Sequence, residues 1–211
     1  MAKKLISNGM MVLGVFLCLV LSSFQAHATT KGLNQIVTPD IQPTGVLSTS
    51  LQLQNSAIGN SQQFQYELGL SRNFEVAVFQ GLKPGQTVLN WELGLVQSKS
   101  FLLSTGMLGM QNGSKPQPFL EAGYYVDKAF CIAGLQHQDS GNQGVLGLGY
   151  QYSPSALITM DYITGQENYL TAGVTFTLTK NLSFNPAVYI SNSSPHKSYA
   201  YGVLSWNSKL W

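Results

Sequence analysis

Four carboxylates lie where an extended chain would turn all of them to polar faces. Glu67, Glu92, Glu121 and Asp161 each fall inside a segment in which apolar and polar residues alternate. Successive side chains of a strand point to opposite faces, so each carboxylate shares its face with polar neighbours. Carboxylates around an enclosed polar space favour cations, as in cation-selective pores. The alternative is that they accept hydrogen bonds from Gln, Asn, Thr and Tyr and only fill that space.

A second group with possible chemistry lies on connections between the segments. His137 and His196 are each placed on a connection, with Asp139 and Glu167 on neighbouring ones. A histidine oriented by a carboxylate can activate a serine, and these four side chains could also bind a divalent metal. The serines near them are Ser140, Ser193 and Ser194. No motif of an enzyme or metal site accompanies them, so we predict no catalytic residues, no metal and no cofactor.

The elements that position these residues are predicted to be β-strands. In Tyr169–Leu178 the residues on one face are apolar and those on the other are mostly threonine. Similar segments recur from Gly45 onward, separated by residues typical of turns. The twelve segments are 45–54, 62–71, 74–82, 88–96, 100–110, 118–126, 129–137, 143–152, 156–164, 168–179, 182–191 and 198–207. Pro186 argues against a central place for the segment that contains it.

Composition favours a barrel that crosses a membrane. Only 9% of the residues are charged and 44% are hydrophobic, which leaves too little charge to cover an ordinary soluble surface. Connections after even-numbered segments are short, and those after odd-numbered segments are generally longer, as in outer-membrane barrels. The prediction is an all-β fold, a single antiparallel transmembrane β-barrel of about twelve strands, with apolar faces toward lipid.

The start of the sequence predicts export. Lys3 and Lys4 precede the apolar run Met10–Leu21, and Ala26-His27-Ala28 fits a signal-peptidase site. The predicted organisation is a cleaved signal peptide over 1–28, an irregular lead-in over 29–44 that touches the near end of the barrel, and the barrel over 45–211. Without Lys3 and Lys4, nine basic residues face nine acidic ones, which does not suggest nucleic-acid binding.

These features resemble bacterial outer-membrane β-barrel proteins. The resemblance is carried by Lys3–Ala28, the alternating segments and the final aromatic residue Trp211. It implies a Gram-negative outer membrane, contact with its lipid, and recognition by the barrel assembly machinery. The implied role is a small pore or solute transporter, or a structural outer-membrane component.

Two other classes of function stay open. One is a secreted soluble β-barrel or sandwich that binds a ligand with its apolar faces turned inward. The other is a hydrolase at the barrel rim, built on the histidines of the connections. The solute and the oligomeric state are not predicted.

Overall fold

Twelve antiparallel strands form a closed barrel in the computed structural model, which describes residues 32–82 and 85–211. Each strand pairs with the next along the chain, and the last pairs with the first. This confirms the predicted antiparallel barrel of about twelve strands. The predicted signal peptide over 1–28 lies outside the described residues. The strands are β1 (Val46–Gln54), β2 (Gln62–Ser71), β3 (Phe74–Leu82), β4 (Gly85–Gln97), β5 (Phe101–Met110), β6 (Gln117–Val126), β7 (Ala129–Gln138), β8 (Gly141–Ser153), β9 (Ala156–Ile163), β10 (Tyr169–Thr177), β11 (Leu182–Ser191) and β12 (Ser198–Lys209).

The barrel is closed by the pairing of β1 with β12. Leu51 of β1 lies opposite Leu204 of β12 on one side and opposite Phe64 of β2 on the other. The first strand is therefore as fully paired as a central one. Closure removes the unpaired edge that an open sheet would present. No helix in the described part of the chain is long and apolar enough to span a membrane.

The two faces of the wall are the reverse of those in a soluble barrel. On the outside of β8, Leu146, Leu148 and Tyr150 are about half exposed. On the inner face of the barrel, Glu121 of β6 and Thr171 of β10 are fully buried. An apolar belt of this kind suits contact with acyl chains, whereas the inner face is polar. The orientation contradicts the soluble alternative, in which apolar side chains would form the core.

Two strands begin two or three residues earlier than the alternation predicts. β4 begins at Gly85 and β8 at Gly141, each ahead of the predicted starts at 88 and 143. The connection from β7 to β8 is therefore only Asp139-Ser140, because Gln138 already pairs with Gly141. Gly141 has a φ of 116°, which a glycine adopts without strain in so tight a turn. The ends of these strands are rich in polar residues and glycine, which is typical of loops. The sequence pattern therefore did not predict that these residues pair with the neighbouring strand.

Pro186 lies inside the sheet, so the expectation drawn from it is wrong. It pairs with Gly202 of β12 on one side of β11. On the other side, the ladder with β10 runs to Ala187 and resumes only at Phe184. A proline has no N–H to donate, and the gap in the ladder falls where that donor is missing. A closed barrel thus holds the strand through its remaining bonds.

Candidate functional site

Three carboxylates form an acidic patch on the inner wall, across strands β2, β3 and β4. Glu67 is on β2, and Glu75 and Glu92 lie directly opposite each other on β3 and β4. Their exposed fractions are 9%, 5% and 3%. Three carboxylates on neighbouring strands make this the most acidic stretch of the described inner wall.

Glu121 and Asp161 also face inward but do not join this patch. Glu121 is on β6 and is 1% exposed, and Asp161 is on β9 and is 2% exposed. The backbone N–H of Asn34 donates to Oδ2 of Asp161 at 2.7 Å. The four carboxylates singled out in the sequence therefore all lie on the inner face, at different positions around the wall.

Glu75 is an inner-wall carboxylate of the candidate site that the sequence analysis did not single out. The strand that carries it has apolar residues on both faces, with Ala77 and Phe79 inside and Val76 and Val78 outside. Its alternation is therefore weak. The only indication in the sequence was the charge of Glu75 itself. A carboxylate that faced lipid would destabilise the barrel, so this side chain is expected on the inner face.

Residues 32–43, here called the inner segment, lie inside the barrel rather than only at its end. At one end of the segment, Leu33 and Ile36 are buried against apolar residues of the wall. Their partners are Ile132 of β7, Val145 of β8 and Ile163 of β9. The inner segment therefore supplies two of the five buried members of this apolar cluster.

Asn34 forms several hydrogen bonds to the wall next to that cluster. Its side-chain amide donates to Oγ1 of Thr171 at 3.0 Å, and its Oδ1 accepts from Oγ1 of Thr159 at 3.3 Å. Its carbonyl oxygen accepts a hydrogen bond from the hydroxyl of Tyr189. The neighbouring Gln35 donates through Nε2 to the carbonyl of Tyr169 at 2.6 Å. Strands β9, β10 and β11 thus hold this part of the inner segment by hydrogen bonds.

The other end of the inner segment crosses to the opposite wall. The N–H of Gln42 donates to Oε2 of Glu75 at 2.5 Å, and Nε2 of Gln97 donates to the carbonyl of Pro39 at 2.8 Å. The chain then turns into β1 at Gly45, whose φ of 77° favours glycine. Glu75 therefore belongs both to the acidic patch and to the bonds that hold the inner segment.

The inner segment separates two cavities of the lumen. One has a volume of about 380 Å³ and is lined by residues 32–37 together with the acidic patch and several glutamines and tyrosines. The other has a volume of about 860 Å³ and is lined by residues 38 and 40–43 and by the short turns at that end. Gly32 and Leu33 border both cavities. The inner segment therefore contributes to the lining of both cavities.

The basic residues of the described chain lie at the ends of the barrel. Six of them are on connections between strands, and Lys209 is the last residue of β12. The six are Arg72, Lys99, Lys115, Lys128, Lys180 and Lys197. In the described residues, the middle of the lumen therefore carries carboxylates and no lysine or arginine.

Solved porin structures share this architecture. The NanC porin matches with a TM-score of 0.54 and 7% identity over 76% of this chain and 98% of that one. The fold is that of these porins. The KdgM porin matches over the same shares with a TM-score of 0.55 and 10% identity, and its complex with disordered oligogalacturonate gives 0.54. No family model and no curated protein sequence matches the chain.

The histidines of this porin-like barrel are not brought together with the carboxylates named beside them. His137 lies in β7 rather than on a connection, and its Nδ1 is 2.8 Å from Oδ1 of Asn142. His196 lies on the β11–β12 connection, with Nδ1 2.9 Å from the carbonyl oxygen of Ser191. Within the described residues, no group of three His, Cys, Asp or Glu side chains could hold a metal ion. The rim hydrolase gains no support from this geometry.

Ser140 and Glu167 are brought together at the rim. The hydroxyl of Ser140 donates to Oε1 of Glu167, and this bond lowers the pKa of the carboxyl group. A lowered pKa stabilises the fold above the pKa of the unfolded chain, and that contribution is lost as pH falls through the folded value. Ser140→Ala should raise the Glu167 pKa toward its ordinary value, measured by NMR titration. Ser193→Ala, on another connection, is the control and should leave the Glu167 pKa unchanged.

Proposed function

We propose that this protein is a bacterial outer-membrane channel for small solutes that prefers cations to anions. The observation that carries the proposal is the acidic inner wall of a closed barrel whose described basic residues all lie at its ends. Negative charge in a narrow, low-dielectric passage raises the local concentration of cations and excludes anions. The likeness to porins supports the barrel fold on which the proposal depends.

The apolar outer surface of the barrel supports a location in the outer membrane. A belt of half-exposed leucine, tyrosine and tryptophan side chains fits acyl chains and not water. A barrel of this type reaches the outer membrane only after export. We therefore propose that residues 1–28 are a cleaved signal peptide and that the barrel assembly machinery inserts the mature chain. We propose a small solute because residues 32–43 and the wall share the lumen with cavities of about 380 and 860 Å³.

The test removes lumen charge and keeps the two carboxylates with a described hydrogen bond to the inner segment. The triple variant Glu67→Gln, Glu92→Gln and Glu121→Gln keeps Glu75 and Asp161, which bond to the inner segment. In planar bilayers under a KCl gradient, the native channel should give a cation-selective reversal potential. The triple variant should shift that potential toward zero, because three inner-wall charges are gone.

The control removes two charges from exposed connections that border neither lumen cavity. Asp139→Asn and Glu167→Gln are both at exposed positions, and neither residue lines either cavity. This control should retain most of the native reversal potential, since exposed charges are screened within about 8 Å at physiological ionic strength. A shift as large in the control as in the triple variant, or an anion-selective native channel, would contradict the assignment.

A second candidate is a structural outer-membrane barrel with a filled lumen. The observation that favours it is the position of the inner segment between the two cavities. This candidate predicts that correctly folded native protein carries no ion current in planar bilayers. A folded barrel is recognised by different gel migration before and after heating.

A further inference from the structure

We propose that the inner segment is the selectivity constriction of the channel, seated in a groove that the barrel wall is shaped to receive. This inference rests on the proposed channel function. It assigns control over which solutes pass to residues 32–43 instead of to the ring of wall residues alone. Four observations carry it: the wall glycines, the matched chemistry along the groove, the position between the cavities and the anchor at β1.

Glycines form the floor of the groove where the inner segment lies closest to the wall. A Cβ added to Gly147 would lie 2.5 Å from Cδ1 of Leu33, and one added to Gly123 would lie 2.8 Å from Cγ of Pro39. A Cβ on Gly173 would meet Oδ1 of Asn34. At each of these positions any larger residue would occupy space that the inner segment now fills. The wall is thus hollowed on three different strands along the path of one segment.

Gly69 continues this floor where the segment leaves the lumen. A Cβ added there would collide with the backbone carbonyl oxygens of Gln42 and Pro43, which cannot move aside as a flexible side chain could. Gly69 also accepts a hydrogen bond from the N–H of Gly45, at 2.8 Å. The glycine is therefore needed for the close approach of two backbones.

The chemistry of the wall changes along the groove in step with the inner segment. Apolar wall residues receive Leu33 and Ile36, hydroxyl groups receive Asn34, and a carboxylate receives the N–H of Gln42. A second carboxylate, on β9, accepts the N–H of Asn34. These contacts pair apolar side chains with apolar wall residues and backbone N–H donors with carboxylate oxygens. The groove therefore binds the inner segment through specific contacts.

Bound in this groove, the inner segment lies in the lumen, where a solute would pass. Residues 32–37 line the cavity that contains the acidic patch, and residues 38 and 40–43 line the other cavity. Barrels near eight strands are filled by side chains and those of 16 or more hold a channel, so a twelve-stranded lumen is of the size that one segment can narrow.

The inner segment is anchored to the barrel at its β1 end. The N–H of Val46 donates to the carbonyl of Pro43 at 3.0 Å, and Thr44 forms an isolated bridge with Gly69. The constriction is therefore part of the same chain and is always present at the lumen. Its strength as a constriction is set by how tightly residues 33–42 occupy the groove.

The first experiment measures single-channel conductance and the size limit of the lumen. One variant lacks residues 33–42, and a second replaces them with ten residues of alternating Gly and Ser, which keeps the length and removes the side chains. Both should conduct severalfold more than the native protein and admit larger neutral sugars in liposome swelling. Heat-dependent gel migration confirms that each barrel is folded.

The outcomes separate this inference from the proposed function. Native and variant barrels that conduct equally would overturn the constriction and leave the channel intact. Folded barrels that carry no current with or without residues 33–42 would overturn both. A rise above the conductance of a conducting native barrel supports the constriction. Current that appears only after removal of residues 33–42 would overturn both, since the native lumen would then be filled.

A second experiment tests the seat without any measurement of current. Cys131 is exposed on the outer wall and is replaced by serine, and Ile36→Cys then supplies the only thiol of the mature chain that signal cleavage would leave. Ile36 is 4% exposed, so its thiol should react with a water-soluble maleimide far more slowly than that of Lys115→Cys on a connection. Equal rates in the folded barrel would overturn the proposal.

Discussion

The substitution Leu51→Arg is expected to lower the free energy of unfolding of the membrane-inserted barrel by about 2–4 kcal/mol. Leu51 faces outward near the middle of β1, between Phe64 and Leu204 of the adjoining strands. An arginine there would place its charge among acyl chains, where no water solvates it. Urea titration of the protein in lipid vesicles, followed by tryptophan fluorescence, measures the loss.

Gln52→Arg is the matched control for this experiment, because it introduces the same residue one position along the same strand. Gln52 faces the lumen and lines the cavity that contains Glu67 and Glu92. An arginine at this position meets negative charge and polar side chains, so its cost should be clearly smaller than that of Leu51→Arg. Equal losses for the two variants, or a larger loss for Gln52→Arg, would contradict the orientation of the wall.

The two faces of the wall were predictable from sequence because a strand has a period of two. In β8, Leu146, Leu148 and Tyr150 alternate with small or polar residues, which assigns the side chains to two faces. The low content of charged residues then favoured the apolar face as the outer one. The same alternation placed Glu121 and Asp161 on the inner face. Strand number and pairing followed, since consecutive antiparallel strands joined by short connections leave few other arrangements.

The inner segment could not be predicted in the same way. Residues 32–43 have no period of two or of 3.6, so nothing in them shows which side chains are buried. Their bonds join positions far apart in the chain, such as Asn34 and Asp161, and a local pattern carries no information about such pairs. The wall glycines were visible, but Gly123 and Gly147 are equally typical of a strand that bends.

The boundaries of some strands and one carboxylate were missed for a related reason. Gly85 and Gly141 begin strands although their neighbours have the composition of a turn, because the pairing partner and not the residue itself decides. Glu75 lies on a strand with apolar residues on both faces, so its own segment did not show the direction of its side chain. In each case tertiary contacts overrode a weak local signal.

The substitution Gly147→Leu is expected to expel the inner segment from its groove while the barrel itself stays folded. The new side chain would occupy the pocket of Val145 and Ile163 that Leu33 and Ile36 now fill. Burial of an aliphatic side chain is worth about 1.5–3 kcal/mol, so loss of both should weaken seating by at least about a hundredfold. The introduced leucine replaces part of the buried apolar area, so the wall keeps its packing.

Two readouts should change together in this variant. The thiol of Ile36→Cys, slow to react in the native barrel, should be alkylated at a rate close to that of an exposed loop cysteine, and channel conductance should rise. Gly202→Leu is the control, because Gly202 faces outward and a Cβ there would meet only the ring of Phe184, at 3.5 Å. It makes the same chemical change on the lipid side and should alter neither readout. An unchanged alkylation rate in Gly147→Leu would mean that Leu33 and Ile36 do not depend on this pocket, since a leucine and the two side chains cannot share it.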